Sequence, residues 1–111
     1  MDKYVAIECR LAEALGYKSI CVKMSGEYRT LSTIVEGKFI DLPKWARDNA
    51  AAFELIVDYE VFLDYCGDEV FAWANGNRLS KKSCKYKNSK DKQAAVRYAI
   101  VEAVIAKLGA K

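Results

Sequence analysis

Three groups of side chains in this 111-residue chain have the types and spacing for chemistry or contact. The first is acidic. From Asp41 to Glu69 the carboxylates are Asp41, Asp48, Glu54, Asp58, Glu60, Asp64, Asp68 and Glu69, against only Lys44 and Arg47. Paired carboxylates can do general acid–base work, and an acidic array can occupy a nucleic-acid channel by imitating phosphate spacing. Asp58, Glu60, Asp64, Asp68 and Glu69 are the candidates for such a contact face, although a solvated acidic surface is the plainer reading. The second group is basic. From Arg78 to Lys92 the chain carries Arg78, Lys81, Lys82, Lys85, Lys87, Lys90 and Lys92 against only Asp91. Lys81, Lys82, Lys85, Lys87 and Lys90, with Tyr86 among them, can track a phosphate backbone while the ring stacks on a base. Residues 79–96 hold no arginine, which counts against base-specific readout, and a lysine-rich solvated loop is the plainer alternative. The third group is aromatic: Phe62, Phe71 and Trp73.

Other chemistries are excluded by what is missing. The chain has no histidine, so Ser-His and Cys-His nucleophilic sites cannot be built. Cys9, Cys21, Cys66 and Cys84 form no Cys-x-x-Cys pair, so neither a zinc ribbon nor a thioredoxin-like site is signalled. These cysteines are expected to be reduced thiols, mostly buried as small hydrophobes. No phosphate-cradling glycine loop is present. No enzyme activity, cofactor or metal is expected.

The elements that must position these groups follow from periodicity. Residues 2–15 predict a helix, with Tyr4, Ile7, Leu11 and Leu15 on its apolar side, Glu8, Arg10 and Glu13 mostly opposite, and Gly16 as its stop. Ile20, Val22 and Met24 alternate with polar neighbours and suggest a strand near 19–24. Ser25-Gly26 is read as a turn, and Tyr28 to Val35 as a second extended piece broken at Glu36-Gly37. Leu42-Pro43 opens the entrance to a second helix over 48–59. Asp48 is its cap, and Ala52, Phe53, Ile56 and Val57 are its expected apolar stripe. Trp45 either staples this entrance or stands outside as a contact.

A hairpin is predicted over 60–74. Gly67-Asp68 suits a type II′ turn, and the pairing Cys66–Glu69, Tyr65–Val70, Leu63–Ala72, Val61–Ala74 gives one wholly apolar face. The other face pairs Asp64 with Phe71 and Phe62 with Trp73. An uncovered face would make Phe62, Phe71 and Trp73 a partner site; burial under a further helix is the favoured expectation. Another strand is read near 84–87, and a last helix over 91–108 is capped by Ser89 or Asp91. The whole predicts one α+β domain, residues 1–111: a small antiparallel sheet packed with three helices.

The Leu42-Pro43 step, Trp45, Asp48 and the Ala50-Ala51-Ala52-Phe53 run resemble the central-helix entrance of the phage ABA sandwich domain, a group of small α/β/α phage and prophage proteins. The closing Ala94-Ala95-Val96-Arg97-Tyr98-Ala99-Ile100 helix is similar to that family's Ala-rich final helix. Ala46 and Arg47 depart from it, standing where the family tends to have Ser and Thr, so Asp48 must cap alone.

The resemblance implies a phage or prophage source and a fold, with no activity to carry over. It leads to the expectation of a non-enzymatic accessory protein that binds a macromolecule, a host or phage protein, as an inhibitor of a host system such as CRISPR–Cas. Two rivals stand beside it: a nucleic-acid-binding protein using residues 78–92, and an oligomeric structural or assembly component. The formal charge of +3 is too small to choose among them. No membrane span or signal peptide is read, so the bacterial host's cytosol is the expected location.

Overall fold

A computed structural model describes residues 2–25 and 28–109. The order is α1 (Lys3–Ala14), β1 (Cys21–Ser25), β2 (Tyr28–Val35), β3 (Lys38–Asp41), α2 (Asn49–Tyr59), β4 (Val61–Cys66), β5 (Glu69–Ala74), a short 3-10 turn (Arg78–Ser80), β6 (Lys82–Lys85) and α3 (Ser89–Gly109). The chain is α+β, as its periodicity predicts. It has two three-stranded antiparallel sheets, β1-β2-β3 and β4-β5-β6, where the sequence suggested one. Both expected extra strands exist, one in each sheet. The turn read at Ser25-Gly26 reaches beyond the described residues.

Helix ends follow local chemistry. Asp2 caps α1, its carboxylate accepting from the Tyr4 N–H at 2.7 Å. Gly16, at φ 95°, ends the helix in a Schellman motif: the Gly16 N–H donates to the Glu13 carbonyl and the Tyr17 N–H to that of Ala12. Asp48 caps α2 alone, as expected, accepting from Ala50 N–H at 3.3 Å. The cap of α3 is Asn88 rather than Ser89 or Asp91. Its side chain accepts from the Asp91 N–H at 2.9 Å, so the helix starts two residues earlier than predicted.

Helix α3 is the centre of the fold. It packs on β4, β5 and β6 and against α1 and α2, burying Ala95, Ala99, Ile100, Val101, Ala103 and Val104. Small residues along one side let the neighbouring elements approach closely. The apolar stripe of α2 is rotated from the expected one. Ala51, Ala52 and Leu55 are buried, while Phe53 and Val57 are 61% and 58% exposed. Trp45 is buried in the core and so belongs to the helix entrance.

The β4–β5 hairpin has the predicted register, from Cys66 opposite Glu69 to Val61 opposite Ala74. Its Gly67 lies at φ 60°, as a type II′ turn requires. On the inner face Val61, Val70, Ala72 and Ala74 are buried. The β1-β2-β3 sheet joins the body through β2, whose Leu31, Ser32 and Thr33 are buried. Thr33 donates its hydroxyl hydrogen to the Lys18 carbonyl, and the Leu42 N–H donates to the Leu31 carbonyl at 2.8 Å. Strand β3 follows Glu36-Gly37, both at positive φ, 52° and 79°, the signature of a type I′ hairpin. All four β3 residues are exposed.

Two sequence expectations about burial are overturned. Glu8, placed on the polar side of α1, is completely buried. Its carboxylate accepts from the Ala46 N–H at 2.9 Å and from both Nε and Nη2 of Arg47, the latter at 2.6 Å. Arg47 also donates to the Arg29 carbonyl at 2.6 Å, so α1, β2 and the α2 entrance meet at one ion pair. Secondly, none of the four cysteines is buried: Cys9 and Cys84 are half-buried, Cys21 and Cys66 exposed. They lie on four separate elements, and the described residues hold no metal-ligand cluster.

Candidate nucleic-acid interface

The outer face of the β4-β5-β6 sheet carries the residues that the sequence grouped by composition. Strand alternation puts Phe62, Asp64 and Cys66 of β4, Glu69, Phe71 and Trp73 of β5, and Ser83 and Lys85 of β6 on this face. None of them is buried, and none belongs to the core cluster. Among the described residues no helix covers these aromatics, contrary to the expectation. Helix α3 lies on the inner face, where Val70 and Ala72 are buried beneath it, and α2 packs beside it.

The three rings form a surface. Phe62 and Trp73 are Cα partners with ring centres 5.7 Å apart and planes 19° from parallel. Phe62 is 47% exposed. Two cations stand over the neighbouring rings: the Arg78 guanidinium 5.5 Å from the centre of Trp73, and the Lys81 ammonium 5.1 Å from that of Phe71. The 3-10 turn at Arg78–Ser80 packs against β5 and places Arg78 there. It also leaves Leu79 fully exposed. Exposed cation–π contacts of this kind are worth about 0.5–1 kcal/mol, weak enough for a stacking partner to displace.

The acidic candidates are not gathered in the same way. Asp58 is exposed in the last turn of α2. Glu60 caps that helix in the left-handed region at φ 50° and binds Asn75 through its side chain at 3.2 Å and its carbonyl at 3.0 Å. Asp64 sits opposite Phe71 and accepts from the Tyr65 N–H. Asp68 lies in the hairpin turn and Glu69 at the start of β5. The six residues of β4 put about 20 Å between Glu60 and Asp68.

The basic candidates divide between two places. Lys81 joins the aromatic face. Lys85, Tyr86 and Lys87 line a cleft of about 280 Å³ between β6, the start of α1 and the start of α3. Lys82 faces inward near Glu102, and Lys90 is exposed in the first turn of α3. The cleft also takes Lys3, Tyr4 and Tyr98, which the sequence did not flag, since residues 3, 86 and 98 are brought together only by the tertiary fold.

Burial shifts three titratable groups around this cleft toward their neutral forms. Burial pushes the Cys84 thiol up, with Glu102 and Glu69 adding and Lys3 opposing. Burial also raises the Tyr98 hydroxyl, aided by Glu102 and opposed by Lys3 and Arg10. Glu102 is itself raised by burial against the pull of Lys82 and Arg10. A thiol raised in this way is a poor nucleophile at neutral pH. No helix among the described residues is long and apolar enough to cross a membrane. No protein-family model matches the chain, and neither the curated proteins nor the solved structures yield a match.

Proposed function

We propose that this protein acts without catalysis, by binding single-stranded nucleic acid on the outer face of the β4-β5-β6 sheet. One observation carries the reading: Phe62, Phe71 and Trp73 lie together on a helix-free sheet face, with Arg78 and Lys81 above two of the rings. Aromatic rings accept any base by stacking, worth about 1–3 kcal/mol per base, and adjacent cations neutralise the phosphates between them. The arginine-poor basic segment suits this sequence-tolerant mode, because base-edge readout is not required. The dispersed carboxylates add nothing to the expectation of a host-system inhibitor, which rests on the phage resemblance and on an acidic contact face.

The test is fluorescence anisotropy with a labelled oligo(dT) or oligo(U). Phe71→Ala and Trp73→Ala are each expected to weaken binding by about tenfold or more, and Lys81→Ala by less. Wild-type affinity in both aromatic variants would overturn the reading. Should Phe71→Asp instead abolish self-association of a chain that binds no oligonucleotide, the face would belong to an assembly contact.

A further inference from the structure

The cleft between β6 and the starts of α1 and α3 is separate from the stacking face, and its lining has a chemistry of its own. Two lysines from separate parts of the chain line it, Lys3 of α1 and Lys87 of the loop after β6; Lys85 borders it at the end of β6, with its side chain on the outer sheet face opposite Glu69. Asp91 is the one carboxylate in the lining among the described residues, so Lys3 and Lys87 leave the cleft an excess of one positive charge. Among the described residues, no carboxylate forms an ion pair with any of the three lysines. Tyr4, Tyr86 and Tyr98 supply aromatic walls. Tyr4 and Tyr98 meet edge to face at 6.1 Å, with the Lys3 ammonium 5.1 and 5.5 Å from their ring centres. Tyr86 is fixed by its hydroxyl, which donates to the Gly67 carbonyl at 3.0 Å. The hydroxyls of Tyr4 and Tyr98 have no hydrogen-bond partner among the described residues. The first turns of α3 form one wall through Asp91, Ala94 and Ala95.

We infer that this cleft binds a nucleoside phosphomonoester, with Lys3 and Lys87 on the phosphate and the tyrosine rings beside the base. The ligand class follows from the lining. Two lysines without carboxylate partners favour an anionic group. Rings and free hydroxyls favour a flat, polar-edged group attached to it. The volume of about 280 Å³ lies just below the range of about 300–1,000 Å³ of most ligand sites, and so holds no more than one nucleotide unit. Two sources supply this chemistry: a free mononucleotide, or the 5′-phosphorylated end of a strand.

Calorimetric titration with adenosine 5′-monophosphate, adenosine and inorganic phosphate tests the inference on the full chain. The monophosphate is expected to bind about tenfold tighter than adenosine or phosphate alone. Lys3→Ala/Lys87→Ala, two exposed changes, should weaken it by about tenfold, and Tyr98→Phe, which keeps the ring, by less. Lys81→Ala and Trp73→Ala on the sheet face should leave it unchanged, which keeps this result independent of strand binding. Equal affinity for adenosine and its monophosphate, or an unchanged Lys3→Ala/Lys87→Ala variant, would overturn the inference, as would no saturation up to about 10 mM. A 5′-phosphorylated oligo(dT) that binds more tightly than its 5′-hydroxyl form, through Lys3 and Lys87, assigns the cleft to strand ends. Equal binding of the two, with the monophosphate still held, assigns it to the free nucleotide.

Discussion

The α2 entrance is held by a residue 40 positions before its cap. Asp48 satisfies a single N–H at 3.3 Å, and Asp48→Ala is expected to cost about 1 kcal/mol in urea denaturation. Glu8 satisfies the Ala46 N–H and the Arg47 guanidinium with no exposure to solvent. Removing it leaves a partly buried charge and a buried N–H unpaired, so Glu8→Ala should cost about 3 kcal/mol by the same measurement. A smaller loss than that of Asp48→Ala would contradict this ranking. Asp48 was legible because a cap is a local signal. Glu8 was not, because a helical wheel sees only its own helix, while both partners lie 38 and 39 residues away. Arg47 is the residue that makes this tie. Glu102 gives a pH-dependent prediction. Its carboxyl is raised by burial, so ionising it costs more in the folded than in the unfolded chain. Glu102→Gln should therefore be more stable than wild type at pH 7, with the difference vanishing below the ordinary value of 4.5.

At the scale of elements, the hairpin was legible to the residue, while of the first sheet β1 and β2 were legible and β3 was not. The β4–β5 register is imposed by a polar/apolar alternation and a glycine turn, both readable locally. Strand β3 has no such pattern. It is exposed on both faces, so nothing in the alternation of Lys38 to Asp41 betrays pairing. Its existence rests on the Glu36-Gly37 turn, where Glu36 occupies the left-handed region at φ 52°. That conformation costs an L-residue about 1–2 kcal/mol, and Asn visits it more readily. Glu36→Asn is expected to raise stability by roughly 0.5–1 kcal/mol, read as a higher denaturation midpoint with an unchanged slope. A fall would mean that the Glu36 side chain supports the turn. The bare second face of the hairpin was misjudged for a related reason. Three helices suggest a covering layer on each side, but α3 takes the inner face and α1 and α2 pack around it.

Across the whole molecule, 45 × 35 × 21 Å in extent, the segregation of charge along the sequence does not survive as two opposed surfaces. The carboxylates spread along and around β4, while the basic segment divides between a stacking face and a cleft. Composition could name the groups, but only the tertiary fold decides which of them meet. The central claim is that Arg78 and Lys81 meet phosphates while Phe62, Phe71 and Trp73 meet bases. Its most direct test is the salt dependence of oligo(dT) binding. Each neutralised phosphate on a single strand contributes about −0.7 to the slope of log K against log salt, so two cations predict a slope of about −1.4 from this face. Lys81→Ala should make the slope shallower by about 0.7, whereas Trp73→Ala should lower affinity at every salt concentration and leave the slope unchanged. A slope indifferent to Lys81→Ala, or binding that survives Trp73→Ala intact, would contradict the account.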